Sequence, residues 1–434
     1  MEQKDSNLGL IELIAIAIGG MVGGGIFTIL GISVAIVGAL APFAIALGAV
    51  IAFFAAYSYV KLGVYYKDEG ATYAFFKRTY PDSPAAASLI GWYTIFGYIS
   101  TLALYAYTFS SYSISGFSFS HNIWTQKIFA IAILWVFVFV NLWSVKGMGK
   151  IEDILVYVKL LILFTISIML INIAKTDFAS FSNAISHDFT HTGFLDILIV
   201  SSVTFVAYEG FQLVINAVRD MDNPDKNIPR AIYTAIFLVA LIYFIIALSA
   251  VIAIPIKDII NNKEYALAAG ASAIIGDWGR NLVIFGAILA TSSAISGTIF
   301  GSSRQMARIA DDGHFPKILG KRKGTTAVNA IIAMGTIAST LIFFGGLRLI
   351  LEFGSITFLL VSLLMAIANF KIREKTKSST IATLIAILGL GIGGVLILWY
   401  EYTTNPSQLV FIVILYIVLG LSALRYVKIT SRDS

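Results

Sequence analysis

The chain has 434 residues, of which 58% are apolar and only 12% charged, and its mean hydropathy is +0.87. Soluble domains carry about 25% charged residues, so this composition excludes a soluble enzyme and points to an integral membrane protein. The absence of cysteine excludes disulfides, thiol catalysis and thiolate metal sites, and the net charge of +6 must be weighed against membrane topology before nucleic acid is considered.

A helix needs about 20 apolar residues to cross the hydrocarbon layer. By that measure the sequence predicts twelve spans, at 9 to 36, 38 to 60, 85 to 113, 126 to 144, 152 to 174, 193 to 217, 230 to 254, 281 to 304, 326 to 345, 347 to 370, 379 to 400 and 408 to 426. Unpaired backbone amides are too costly in lipid, and no ten-residue barrel alternation is present, so the class is all-α. With the chain changing sides at each span, 23 of the 30 Lys and Arg fall on the side of the N-terminus, six fall on the other, and Lys159 lies within a span. This asymmetry predicts cytoplasmic termini in a multi-pass protein of the cell membrane, and it explains the basic balance without nucleic acid. The polar stretch 1 to 7 leads into a span too long for a signal h-region, so no cleavable signal peptide is expected. The longest outside connection, 255 to 280, carries Tyr265-Ala-Leu-Ala-Ala-Gly-Ala-Ser-Ala, expected as a short surface helix acting either as a lid or as a plain connector.

Two spans look broken. The first reads Ile18-Gly-Gly-Met-Val-Gly-Gly-Gly-Ile-Phe27, with five glycines from Gly19 to Gly25. Each glycine costs about 1 kcal/mol against alanine in a helix interior, so the backbone is expected to unwind here; Gly19 and Gly23 at four-residue spacing also fit close helix packing. The sixth span carries Phe205-Val-Ala-Tyr-Glu-Gly-Phe-Gln212, with an acid and a glycine at mid-membrane. Five spans separate the two segments, and because five is odd a second copy of a five-helix unit enters the bilayer inverted, the architecture of many secondary transporters.

Together with Asn223-Pro-Asp-Lys-Asn-Ile-Pro-Arg-Ala-Ile232 and Ser303-Arg-Gln-Met-Ala-Arg-Ile-Ala-Asp-Asp-Gly-His-Phe-Pro316, these segments resemble the amino acid, polyamine and organocation transporter superfamily, in the right order from residue 9 to about 370. The resemblance implies a leucine-transporter-type core of five plus five inverted helices, with helices 1 and 6 discontinuous. The repeats would be 9 to 174 and 193 to 370, with two additional helices over 371 to 427, a cytoplasmic N-terminus over 1 to 8 and a cytoplasmic tail over 428 to 434. It also implies coupling to a proton, to sodium or by exchange. The chain departs from the common pattern in three places. Lys67-Asp-Glu-Gly-Ala-Thr-Tyr73 lacks the usual proline and one glycine, the acidic pair before Asn223-Pro is reduced to Arg219-Asp220, and Gly24 offers no hydroxyl where serine or alanine is common.

The expected substrate is an amino acid or related amine. Its amino group would lie on carbonyls near Ile18, Gly19, Met21 and Val206 to Glu209, and its carboxylate on the amides of Gly23, Gly24 and Gly25. Phe205, Tyr208 and Thr298 complete the candidate lining, and valine at Gly24 or Gly25 would close the space. Lys159, about eight residues into the fifth span, either snorkels to the cytoplasmic interface or needs an internal partner. In similar proton-coupled proteins a lysine there replaces sodium, which implies neighbours at the Gly19 carbonyl and at Ser292 and Ser293. Glu209 has three readings: contact with a cationic side chain, a proton site shared with Lys159, or a carboxylate bonded to unwound backbone. His121, His187, His191 and His314 lie in loops without metal-ligand grouping and are expected to be solvated, Asp311 and Asp312 beside Arg308 are expected to form a cytoplasmic network, and no metal or cofactor site is expected. A secondary transporter of an amino acid, possibly cationic and proton-coupled, is favoured, with an amino acid or polyamine exchanger as the alternative; a channel would need polar rings and an enzyme clustered His, Asp or Cys. Lipid, substrate and proton are the expected partners, and the sequence leaves the oligomeric state open.

Overall fold

The computed structural model describes residues 8–143, 148–173, 178–323 and 326–430, with side chains omitted over 148–155, 173, 178–180 and 428–430. The terminal segments 1 to 7 and 431 to 434 and the loop lysines 146 and 175 used in the topology argument therefore lie outside the described residues.

The described chain is mostly helical, with no strand among the described residues. In order the helices are α1 (Leu10–Met21), α2 (Gly25–Val37), α3 (Ala41–Tyr66), α4 (Ala71–Thr79), α5 (Pro84–Ser113), α6 (Ile123–Trp143), α7 (Met148–Ile173), α8 (Phe178–His191), α9 (Phe194–Val203), α10 (Leu213–Asn216), α11 (Pro224–Ala253), α12 (Ile256–Asn261), α13 (Ala266–Ile275), α14 (Asp277–Asp311), α15 (Val328–Phe344), α16 (Leu347–Lys371), α17 (Arg373–Thr376), α18 (Thr380–Thr404) and α19 (Pro406–Thr430). Every predicted apolar segment is occupied by helix. Among the described residues nine helical stretches are long and apolar enough to cross a membrane, with α2 and α3 counted together as one stretch and α9 to α10 as another. α1 and α15 fall among the shorter apolar helices, α1 because its span is interrupted.

The helix starts follow local chemistry. Ser83 caps α5 by accepting the Ala86 amide, with Pro84 in the first turn. Ser379 caps α18 in the same way through Ala382. Asn223, at φ +42, turns the chain into Pro224 at the start of α11.

The centre of the bundle is α5, packed against α6, α14, α16 and α19, while α3 packs against α9, α11 and α18. Polarity is arranged for lipid. Phe139, Leu161, Phe237, Leu388 and Val395 are exposed, whereas Lys159, Glu209, Glu352 and Glu401 are buried. In water that outer surface would aggregate; in a bilayer it is the solvated face.

Several helices differ from the sequence reading. α4, α8, α12 and α17 form where loops were expected. The 266 to 275 segment does form a helix, but Ala266, Leu267, Ala268 and Ala271 are buried against α2, α7 and α14, so α13 is embedded in the bundle rather than lying on its surface. Small residues allow this close approach.

At one end of the bundle the α3–α4 loop is tied to the end of α14. Asp68, 8% exposed, takes ion pairs from Arg78 at 2.7 Å and Arg308 at 3.6 Å, and its Oδ1 accepts the Gly70 amide. Asp312 accepts from Lys77 at 2.8 Å and from the Tyr73 hydroxyl at 2.9 Å. Burial pushes the Asp312 carboxyl up, but these two hydrogen bonds and the charges of Lys77 and Arg308 outweigh it and hold the group below the usual carboxylate range. Asp311 pairs with Arg322 at 2.7 Å, so both aspartates belong to a loop network. His314 differs from expectation: it is 5% exposed, packed edge-on to Tyr73, and its carbonyl accepts the Trp92 indole at 2.9 Å. The N-terminal entry joins the same end, with the Leu8 amide donating to the Asp220 carbonyl at 2.6 Å and the Asp222 amide to the Leu8 carbonyl at 3.1 Å.

The missing second glycine of this loop has a structural consequence. Ala71 occupies its place at φ +42, a left-handed conformation that costs a residue with a Cβ about 1–2 kcal/mol. Ala71→Gly is therefore expected to raise the unfolding temperature, or at least to leave it unchanged. Ala74→Gly, three residues on within α4, should lower stability by about 1 kcal/mol. Thermal unfolding of the two purified variants checks the difference in sign, and equal losses would refute the assigned strain.

Candidate functional site

The first segment breaks where the glycines crowd. α1 ends at Met21, Val22 to Gly24 are non-helical, and α2 starts at Gly25. In the sixth segment α9 ends at Val203, a 3-10 turn runs over Thr204–Tyr208, and the chain extends through Glu209 (φ -70, ψ 139) before α10. The two breaks touch each other. A Cβ on Gly210 would lie 2.5 to 2.8 Å from the backbone of Gly20 and Met21, and one on Gly20 would lie 3.1 to 3.2 Å from Gly210. Gly210 also sits at φ +129, so both its conformation and its contact demand glycine.

The broken ends expose helix-terminal carbonyls that need donors. Ile18 O accepts the Val22 amide at 2.7 Å, and Met21 O the Gly23 amide at 3.0 Å. Gly19 O accepts the Lys159 ammonium at 3.1 Å. Lys159 is fully buried, so the snorkelling alternative does not describe it; its positive charge meets the negative end of the α1 dipole. Ser293 Oγ is buried without a hydrogen-bond partner among the described residues, so it does not bond the ammonium in this arrangement, and Ser292 is half-buried. Thr298, also half-buried, contributes its carbonyl to Ser302.

Tyr243 of α11 joins the two breaks. Its hydroxyl donates to Met21 O at 2.8 Å and, bifurcated, to Ala207 O at 3.2 Å. Tyr208, packed against it at 5.4 Å between ring centroids, donates instead to Ile45 O at 2.8 Å, and Phe205 and Val206 are buried beside it. Tyr243 escaped the sequence reading because it stands in the apolar run Leu241-Ile-Tyr-Phe-Ile245; the available signal was that a tyrosine buried in such a run needs an acceptor.

Glu209 is 4% exposed. One carboxylate oxygen accepts from Gln212 Nε2 at 2.9 Å, and Gln212 in turn accepts the Gly210 amide at 3.1 Å and reaches the Tyr98 hydroxyl at 3.4 Å. The other oxygen has no hydrogen-bond partner among the described residues; Ser362 faces it without reaching hydrogen-bond geometry. Tyr59, Tyr98 and Tyr105 lie within electrostatic range of the carboxylate.

The glycines expected to receive a carboxylate are covered. A Cβ on Gly23 would meet Ala294 at 2.8 Å and the Tyr105 ring at 3.0 Å. On Gly24 it would meet Thr291 and Tyr105 at 3.1 Å, and on Gly25 Ala207 at 2.9 Å. Unwinding and close packing, alternatives in the sequence, therefore coexist. No space is open for valine to fill; valine would have to displace packed neighbours. Tyr105, Thr291 and Ala294 are lining residues that the sequence did not single out.

Replacing Tyr243 with phenylalanine removes the shared donor of two buried carbonyls. Met21 O keeps the Gly23 amide but Ala207 O loses the Tyr243 hydroxyl, and an unpaired buried group costs about 1–3 kcal/mol, so Tyr243→Phe is expected to lower the unfolding temperature clearly. An unchanged transition would take Tyr243 out of this role.

The chain matches the amino acid permease family over residues 8–424. It is 29% identical over 441 residues to an uncharacterized protein of Methanocaldococcus jannaschii, covering 100% of this chain and 98% of that protein. It is 27% identical over 405 residues to the inner membrane transport protein YbaT of Escherichia coli, with 91% of each chain covered. With the chloroplastic cationic amino acid transporter 7 of Arabidopsis thaliana it shares 24% over 384 residues, 84% of this chain and 65% of that one. Nearly end-to-end agreement, on top of a bundle of apolar helices with two touching breaks, leads to one assignment: the chain is a multi-pass membrane protein that belongs to the amino acid permease family.

Proposed function

We propose that this protein carries a cationic amino acid across the cell membrane by alternating access, with a proton as the coupling ion. The observation that carries the reading is Glu209: a buried carboxylate at the junction of two broken helices, with one oxygen left without a hydrogen bond. A buried charge without full pairing is costly, and the ammonium or guanidinium of a substrate side chain would supply the missing donor. The similarity to proteins named cationic amino acid transporters supports the same choice. So does Gly24, which offers the substrate carboxylate no hydroxyl.

In this reading all twelve apolar segments cross the membrane, both termini are cytoplasmic, and residues 9 to 174 and 193 to 370 form the two inverted repeats, followed by two further helices. The equivalent placing of the breaks at Gly23 and Gly210, five segments apart, supports that arrangement. The substrate enters by separating Tyr105, Thr291 and Ala207 from the glycine segment. Its amino group then takes over carbonyls at the end of α1 and in the 206 to 209 turn, while its carboxylate meets the first-turn amides of α2. Ile18, Gly19, Met21, Phe205, Val206, Tyr208 and Thr298 frame this volume. Lys159 is the coupling group, because its ammonium is fixed on Gly19 O at the edge of the break, buried where a charge is costly. Ser292 and Ser293 complete the coupling region on α14.

Two substitutions test separate parts of this scheme in proteoliposomes. Glu209→Gln keeps shape and removes charge; uptake of lysine and arginine is expected to fall at least about tenfold, the equivalent of about 1.4 kcal/mol, relative to a neutral amino acid. Unchanged selectivity would refute the cationic assignment. Lys159→Ala is expected to abolish the response to an imposed proton gradient while exchange of internal for external substrate continues. A sodium requirement in the unaltered protein would refute proton coupling.

A further inference from the structure

At the end of α16 opposite Lys371, two glutamates share one cation. Arg348 Nε donates to Glu352 Oε1 at 2.8 Å one turn along α16, and Arg348 Nη2 donates to Glu401 Oε1 at 2.8 Å and to Thr404 Oγ1 at 3.0 Å on α18. The guanidinium also lies over the Tyr400 ring, 4.8 Å from its centroid. Glu352 and Glu401 are both fully buried. Their two remaining oxygens, Glu352 Oε2 and Glu401 Oε2, have no hydrogen-bond partner among the described residues, although both carboxyl groups converge on the same guanidinium.

Charge counting decides what this cluster needs. With both acids ionised, one guanidinium faces two buried carboxylates, leaving a net negative charge away from water and two like charges in contact. Carboxyl pairs in that position share a proton rather than both ionising. One proton makes the cluster neutral and joins the two orphaned oxygens, one as donor and the other as acceptor. The remaining charged or titratable neighbours do not compete for this role: Tyr400 lies under Arg348, Asp196 of α9 acts on Tyr400 while accepting the Gly193 amide, and α5 presents the Ser100 hydroxyl, which donates to Ile350 O.

We propose that Glu352 and Glu401 form a second proton-binding site, separate from Lys159 and Glu209, holding one exchangeable proton between α16 and α18. Loading it is a simple protonation, in which one carboxylate takes a proton from water and no other bond changes. The site reaches the broken sixth segment through a single turn of α16. Ser355, three residues after Glu352 and on the same face of the helix, donates to the carbonyl of Val203 at 2.5 Å, where α9 ends. Gly354 lies against Val206, which a Cβ would meet at 3.3 Å. Loss of the shared proton would place two repelling carboxylates between α16 and α18, next to the helix that supports the break.

Infrared difference spectroscopy of the purified full-length protein tests the site without relying on transport, so its outcome is independent of the cationic amino acid reading. The Glu209→Gln protein, which removes the other buried acid under discussion, is expected to show a protonated-carboxyl carbonyl band at neutral pH that shifts in deuterium oxide. Adding Glu401→Gln, whose amide can still donate to Glu352, should remove that band, and adding Glu352→Gln should do the same. Persistence of the band in either folded double variant would overturn the proposal. Absence of the band in Glu209→Gln itself would overturn it without any further substitution.

Discussion

Gly20 and Gly210 meet backbone to backbone, and much of the remaining structure follows from that contact. Any side chain at either position would collide with the opposite main chain at 2.5 to 3.2 Å. Close to this contact both segments leave the helix, the first at Val22 just after α1 ends and the sixth around Glu209 and Gly210, and the unwinding produces carbonyls that require donors inside a medium without water. The donors present are a tyrosine hydroxyl from α11, a lysine from α7 and local amides. The close contact therefore generates both a demand for hydrogen bonds and the polarity with which a small zwitterion can be recognised.

Three buried charges are stabilised in three different ways. Lys159 rests on the carbonyl end of α1, where the helix dipole and a hydrogen bond to Gly19 O favour its charge. Arg348 collects two acids and a ring face, so its own charge is fully compensated while the acids carry an excess. Glu209 is the least satisfied of the three, with one hydrogen bond from Gln212 and one open oxygen. Buried charges held by several partners stay fixed, because removing one partner strands the other. A charge with a vacant hydrogen-bonding position is able to exchange partners, and Glu209, unlike Glu352 and Glu401, is located where the two breaks adjoin.

Much of this was legible in the sequence because lipid imposes strong rules. Length and hydropathy placed helix in all twelve apolar segments, and the glycine cluster located the first break to within a few residues. The sixth break was readable from Glu209 and Gly210, since an acid followed by glycine has little reason to occupy the middle of an apolar helix. What escaped depended on tertiary contact. α13 reads as a surface helix because its alanines are only weakly apolar, and only the bundle shows that smallness is what lets it in. Tyr105 and Tyr243 are two among 20 tyrosines, and nothing local distinguishes a tyrosine that covers a glycine or bridges two helix ends. Ala71 looked like a neutral departure from a motif until its positive φ showed that the loop keeps the conformation for which the motif supplies glycine.

The two ends of the bundle are held by interactions of different strength, and this bears on how the molecule opens. At the Asp68 and Asp312 end the partners Lys77, Arg78 and Arg308 are 42 to 53% exposed. Ion pairs of that kind contribute about 0–1 kcal/mol each and weaken with salt. They can be exchanged for water with little change in free energy, so they guide the closure of this end without locking it. At the other end Arg348, itself 32% exposed, is tied to two fully buried acids, for which water is not available as a substitute and a change of protonation alters the net charge outright. Under the proposal of a shared proton, the buried end is the one at which a change of protonation would act on the sixth segment, because Ser355 and Gly354 of α16 touch Val203 and Val206, only a few residues from Glu209. Were Glu209 to meet the charge of a substrate, both influences would fall on the same short stretch of unwound chain, the physical requirement for one to drive the other.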